Sequence, residues 1–134
     1  VNVNEIDIGF RRGLIIAFLK GDTKILEKLS GQRELFVSCI SVGEMCYGAN
    51  NSLQKDKNRL LYDSFFDTCN VISIDKTVSI SYGELRFYLK TIGRPIPEND
   101  IWIAATAQVF NLKILTFDRD FSHFKDKVKV EILP

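Results

Sequence analysis

Between Asp100 and Phe110 the chain reads DIWIAATAQVF, a helix-length run in which Thr106 and Gln108 are the polar residues beyond Asp100 itself. A surface helix would show a broad polar face, so this one must be covered on most sides. Asn99 or Glu98 can cap it, and Asn111, tolerant of left-handed backbone, can stop it. The strand-like LKILT (Leu112–Thr116) follows at once. A buried helix leading into a buried strand demands a layered fold. It also sets Asp100 at the first turn of a buried helix and Asp118 just past a buried strand, two ends that a parallel α/β fold brings together.

The rest of the chain alternates in the same way. Val1–Ile8 alternates apolar and polar and carries Asp7 near its end, while LFVSCI (Leu35–Ile40), NVISI (Asn70–Ile74) and VKVEI (Val128–Ile132) read as further strands. Gly9–Gly13 is a basic, glycine-bounded break. Helices are expected over Leu14–Lys20, closed by Gly21, and from a cap at Asp22 to Leu29. Ser41-Val42-Gly43-Glu44 matches a capping box opening a helix to Tyr47 or Ala49. An amphipathic helix over Leu53–Thr68 is expected to bury Leu60, Leu61, Phe65 and Phe66. Asp75 can cap a helix over Lys76–Ile92, stopped by Gly93, with Ile80, Gly83 and Phe87 on one apolar side and Arg86, Lys90 and Arg94 on a basic edge. The expected architecture is one domain, residues 1–134, built as a three-layer α/β/α sandwich around a mainly parallel sheet.

Bulk composition excludes more than it selects. With 134 residues, 46% hydrophobic, and 18 basic against 17 acidic side chains, the net charge is +1. That gives no long-range attraction for nucleic acid, so a polyanion would be held by a local patch or a metal ion. Cys39, Cys46 and Cys69 lack CxxC spacing, which argues against a disulfide framework or a zinc ribbon and fits a reducing cytoplasm. No run reaches the roughly 18 apolar residues of a membrane span, and Val1–Glu5 is not patterned as a secretory signal. The motifs of acyl transfer, NTP hydrolysis and dinucleotide binding are absent from the sequence.

The acids form a more informative set. Asp7, Glu44, Asp100 and Asp118 occupy comparable places in successive strand–helix units, so all can line one crevice at the carboxyl ends of the strands. Carboxylates held that close repel unless a cation neutralises them, and oxygen donors suit Mg²⁺ or Mn²⁺ better than zinc. Such ions polarise a phosphodiester and activate water without a histidine base. His123, in an expected surface turn, is not needed for that chemistry. The bland alternatives are that Glu44 closes a capping box and that Asp100 serves the helix dipole, worth about 0.3–1 kcal/mol. Trp102 reads as core.

Three blocks carry a family resemblance: ISVGEMCYGA (Ile40–Ala49), GRPIPENDIWIAATA (Gly93–Ala107) and LTFDRDF (Leu115–Phe121). In this order they resemble the PIN domain of VapC-type toxins, over nearly all the chain from Leu14 onward. The resemblance implies a Mg²⁺- or Mn²⁺-dependent endoribonuclease, usually dimeric, held inactive by a small antitoxin protein. It implies that Glu44, Asp100 and Asp118 are acidic-site residues, that Thr116 supports them, and that Asp120 is an additional or water-mediated ligand. Arg86 and Arg94 are the candidates for binding RNA phosphates. The family's first strand ends in Asp-Thr-Asn, whereas an ungapped count places Arg11, Arg12 and Gly13 there. Either Asp7 takes the first acid's place through an enlarged loop, or the site is short of a ligand. In the second case the chain is a binding module that dimerises and holds an antitoxin peptide or RNA without efficient cleavage. A DNA-directed nuclease is the third reading.

Overall fold

The computed structural model describes residues 8–10, 12–29 and 34–134. Strands β1 (Ile8–Phe10), β2 (Phe36–Ser38), β3 (Asn70–Ile72), β4 (Lys113–Thr116) and β5 (Lys129–Ile132) form one sheet in the order β3-β2-β1-β4-β5, every pair parallel. Helices α1 (Arg12–Leu19), α2 (Thr23–Leu29), α3 (Cys39–Asn50), α4 (Lys55–Asp67), α5 (Lys76–Thr91) and α6 (Glu98–Phe110) make the connections, with a 3₁₀ stretch at Arg119–Lys127 broken at Lys125. The described part of the first strand is Ile8–Phe10, and the rest of the segment read as an opening strand, residues 1–7, lies outside the described residues. Gly13 belongs to α1 rather than to a break.

Parallel strands need cover on both faces, and the period of a strand supplies it residue by residue. On β4, Ile114 joins a core with Val78, Leu85, Leu89, Ile103, Ala104, Phe121 and Phe124, under α5 and α6. Its neighbour Leu115 joins the opposite core with Leu14, Ile15, Ile25, Val37, Met45, Phe65 and Phe66, under α1 to α4. Two cores on two faces of one sheet are the three-layer sandwich the sequence predicted.

Helix α6 is as buried as its composition requires, through Ile101, Ile103, Ala104, Ala105 and Ala107. Buried Thr106 donates to the Trp102 carbonyl at 2.9 Å, which satisfies its hydroxyl within the helix. Asn111 stops the helix with φ 55°, ψ 42°, as expected. Its start differs from expectation, because Pro97 is the cap residue and Glu98 and Asn99 lie inside the first turn. Asp22 and Asp75 do cap, accepting from Ile25 N and Val78 N at 3.2 and 2.9 Å.

Two helices bury other faces than expected. On α4, Leu60 and Leu61 are exposed, while Phe65 and Phe66 are buried with Tyr62 and Cys69 packed beside them. Positions 62, 65, 66 and 69 follow the i, i+3, i+4, i+7 spacing, and Leu60 points the opposite way. On α5 the buried positions are Val78, Ser81, Leu85 and Leu89, leaving Ile80 and Phe87 exposed.

At the far edge, Glu131 of β5 accepts from Lys113 of β4 at 2.9 Å and pairs with Lys28 of α2 at 2.6 Å, clamping the last strand to both neighbours. Partial burial pushes the Glu131 carboxyl up, but the two ammonium groups outweigh it and hold the group below its ordinary 4.5. A carboxyl depressed in the folded state contributes stability above its unfolded pKa and loses it as pH falls through the folded value. Glu131→Gln should therefore lower urea stability at pH 7 by on the order of 1 kcal/mol, the range of partly exposed pairs. The gap to wild type should close as pH falls below 4.5.

Candidate active site

The chain lays β2 and β3 on one side of β1 and then crosses to place β4 on the other. At such a switch in strand order the flanking connections diverge and leave a crevice beyond the carboxyl ends of the strands. Helix α3 starts directly from the end of β2, and α6, which runs back before β4, starts over the same edge.

Glu44 reaches this edge from α3. The helix is capped not by Ser41 but by Ser38, whose hydroxyl accepts from Ile40 N at 3.1 Å. Ser41 is a buried residue of the first turn, so the expected capping box with Glu44 does not form. With that role gone, the side chain needs another explanation. Its Oε1 atom is buried and has no hydrogen-bond partner among the described residues. Glu44 lines a groove of about 490 Å³ with Cys39, Ile40, Gly43, Tyr47 and Asn99, the last from the first turn of α6.

Asp100, next to Asn99, is only 1% exposed. A helix start favours a carboxylate by about 0.3–1 kcal/mol, less than the desolvation of a carboxylate costs. Further interactions of Asp100 therefore offset its burial. On the other side of the switch, Thr116 ends β4 with its buried hydroxyl accepting from Asp118 N at 3.0 Å, and half-buried Asp118 accepts from Asp120 N at 2.9 Å. Thr116 thus sets the backbone that carries Asp118, while Asp118 also opens the 3₁₀ stretch. Asp120 is exposed, 3.8 Å from half-exposed His123. Asp7 lies outside the described residues, as does Arg11.

The basic candidates occupy a different place. Arg86, Lys90 and Arg94 line a separate groove of about 630 Å³ with exposed Phe87 and Gly83. Arg86 donates to the Tyr82 hydroxyl at 2.8 Å and lies 3.7 Å from Glu98. Donation from Tyr82 to Glu98, at 2.6 Å, pushes the tyrosine hydroxyl above its ordinary range. Trp102 is half-buried rather than fully in the core, with its ring stacked on Tyr82 at 3.8 Å and 11°. Sequence reasoning missed the groove positions Gly43, Tyr47 and Asn99. The signal was present in the spacing of Ile40, Gly43, Glu44 and Tyr47 on one helix face.

The donor set fits a hard divalent cation in kind: carboxylate oxygens, one of them buried and unsatisfied. Among the described residues no three or more His, Cys, Asp or Glu side chains are grouped closely enough to hold an ion together. That does not conflict with Mg²⁺, which is commonly bound through one or two carboxylates with water and substrate phosphate oxygens completing its shell. No helix among the described residues is long and apolar enough to cross a membrane.

A family model described as the PIN domain matches residues 13–127. Among curated proteins, the chain is 32% identical over 91 residues to "Ribonuclease VapC2" of Rickettsia felis, covering 68% of each chain. It is 28% identical over 118 residues to "Ribonuclease VapC1" of Haemophilus influenzae, covering 84% of this chain and 88% of that one. Among solved structures, the VapBC-1 structure from nontypeable Haemophilus influenzae superposes with a TM-score of 0.85 at 26% identity, covering 94% of this chain and 97% of that one.

Thr116→Val keeps the side-chain shape but removes the acceptor for Asp118 N. It should cost about 1–2 kcal/mol in urea unfolding, and Thr116→Ser should recover most of it.

Proposed function

The chain belongs to the PIN-domain family, and on that premise we propose that it is a divalent-metal-dependent endoribonuclease, the toxin of a toxin–antitoxin pair. The reading takes residues 1–134 as one such domain, acting in the cytoplasm as a homodimer on RNA and restrained by a small antitoxin protein. Relatives named ribonucleases support the activity, and a structural neighbour described as VapBC supports the pairing. The observation that carries it is Glu44, which lines a groove at the sheet's switch point, bordered by the first turn of the helix that holds Asp100, and keeps a buried Oε1 with no hydrogen-bond partner among the described residues.

Glu44, Asp100 and Asp118 would serve the ion, either Mg²⁺ or Mn²⁺, one or two of them directly and the rest through water, with Asp7 as a fourth acid. When bound, the ion supplies phosphate polarisation and a water activated near neutral pH. The chain's own contribution is positioning. Thr116 fixes the backbone of Asp118, the helix start holds Asp100 out of bulk water, and Asp120 extends the acidic rim. Arg86 and Arg94 would meet phosphates along the neighbouring groove.

Arg11, Arg12 and Gly13 in the positions of the family's Asp-Thr-Asn favour a second reading, a binding module that holds RNA or an antitoxin peptide without efficient cleavage. Cleavage of a mixed single-stranded RNA pool in Mn²⁺, with and without EDTA, separates the two. Wild type should cleave, EDTA should stop it, and Asp100→Asn should reduce it about a hundredfold or more. Silence of wild type with activity gained in Arg11→Asp would instead establish the binding module. Matched DNA strands tested beside the RNA decide the nucleic-acid class.

A further inference from the structure

We propose that the face of α3 made by Gly43 and Tyr47, with Asn99 opposite, is a pocket for an unpaired nucleobase of the RNA next to the cleaved bond. The inference rests on the ribonuclease reading and adds to it the group that selects how the strand sits.

Ile40, Gly43, Glu44 and Tyr47 fall at i, i+3, i+4 and i+7 and so share one face of α3. All four line the groove, and Glu44 keeps a buried Oε1 with no hydrogen-bond partner among the described residues. Gly43 is exposed inside this helix, and a Cβ built there meets nothing within 4 Å among the described residues. Glycine is among the poorest helix formers. The space above Gly43 is open, as it is above Gly83, but here it lies in the groove that Glu44, Tyr47 and Asn99 line. Beside it stands Tyr47, 69% exposed despite its aromatic ring. A flat open floor next to an exposed ring is what a stacked base requires.

The charge of the groove sets which part of a nucleotide enters. With Glu44 in the wall, an anionic phosphate is disfavoured there except beside a cation, whereas a neutral planar base is not. The exposed Asn99 amide offers one donor and one acceptor group at the groove edge, the pair that reads the edge of a base. Glu44 and Tyr47 lie three residues apart, about 4.5 Å along the helix axis, a span a single nucleotide covers between its phosphate and its base.

Steady-state cleavage of labelled single-stranded RNA in Mn²⁺ tests this, with melting temperatures recorded for every variant. Tyr47→Ala should raise KM about tenfold or more, the scale of one lost base stack, with kcat within about threefold. Tyr47→Phe should recover most of that loss. Gly43→Ala should raise the melting temperature by about 2–4 °C and yet raise KM, and Gly43→Leu should raise KM further. Opposite signs for stability and binding are not expected of a merely structural glycine. An abasic ribose beside the cleaved bond should erase the difference between wild type and Tyr47→Ala. Unchanged KM in Tyr47→Ala and Gly43→Ala, on an RNA that Asp100→Asn fails to cleave, overturns the base pocket and leaves the nuclease reading standing. Wild type that cleaves no RNA overturns both.

Discussion

Everything functional in this molecule depends on the crossing of the chain from β3 at one edge of the sheet to β4 beside β1. Parallel strands force each connecting helix to return antiparallel to the sheet, so helix starts and strand ends gather along one edge. At the crossing the connections part, and the opening between them is where α3 and α6 bring Glu44, Asn99 and Asp100. No loop of unusual length is required. The site is a by-product of topology furnished with acids.

Those acids work against the fold that holds them. Asp100 is buried in the first turn of a largely buried helix, and Glu44 keeps a buried oxygen without a partner among the described residues. Glu44 carries a desolvation cost that packing elsewhere must offset. The offset comes from the two cores, above all from Ile114 and Leu115, adjacent residues of β4 that anchor opposite faces of the sheet next to Thr116. Thr116 then passes that rigidity to Asp118 through one hydrogen bond.

Much of this was legible in the residues because the strongest signals were local. The run from Asp100 to Phe110 announces a covered helix, Asn111 its stop, and Asp22 and Asp75 their caps, each through chemistry confined to a few residues. The expectation that Glu44, Asp100 and Asp118 share one edge comes from the alternation of strands and helices, and Asp7 lies outside the described residues. What misled was competition between equally good local choices. Ser38 and Ser41 can both cap, and only the early end of β2 decides for Ser38. Leu60 and Leu61 are as apolar as Phe65 and Phe66, and the partner faces of α1 and α3 choose among them. Helix α5 carries apolar residues on more than one side, so its buried face is set by β4 and α6 rather than by its own pattern. Gly43 and Tyr47 escaped notice for a related reason: an empty space has no signature until neighbouring elements bound it.

The account stands or falls on whether the edge acids act as one cation site. Calorimetric titration of Mn²⁺ into wild type, Glu44→Gln and Asp118→Asn measures this without reference to any substrate. Saturable binding by wild type, weakened about tenfold or more in each variant, is the predicted result. Absence of binding by wild type, or equal binding by all three proteins, would contradict the account.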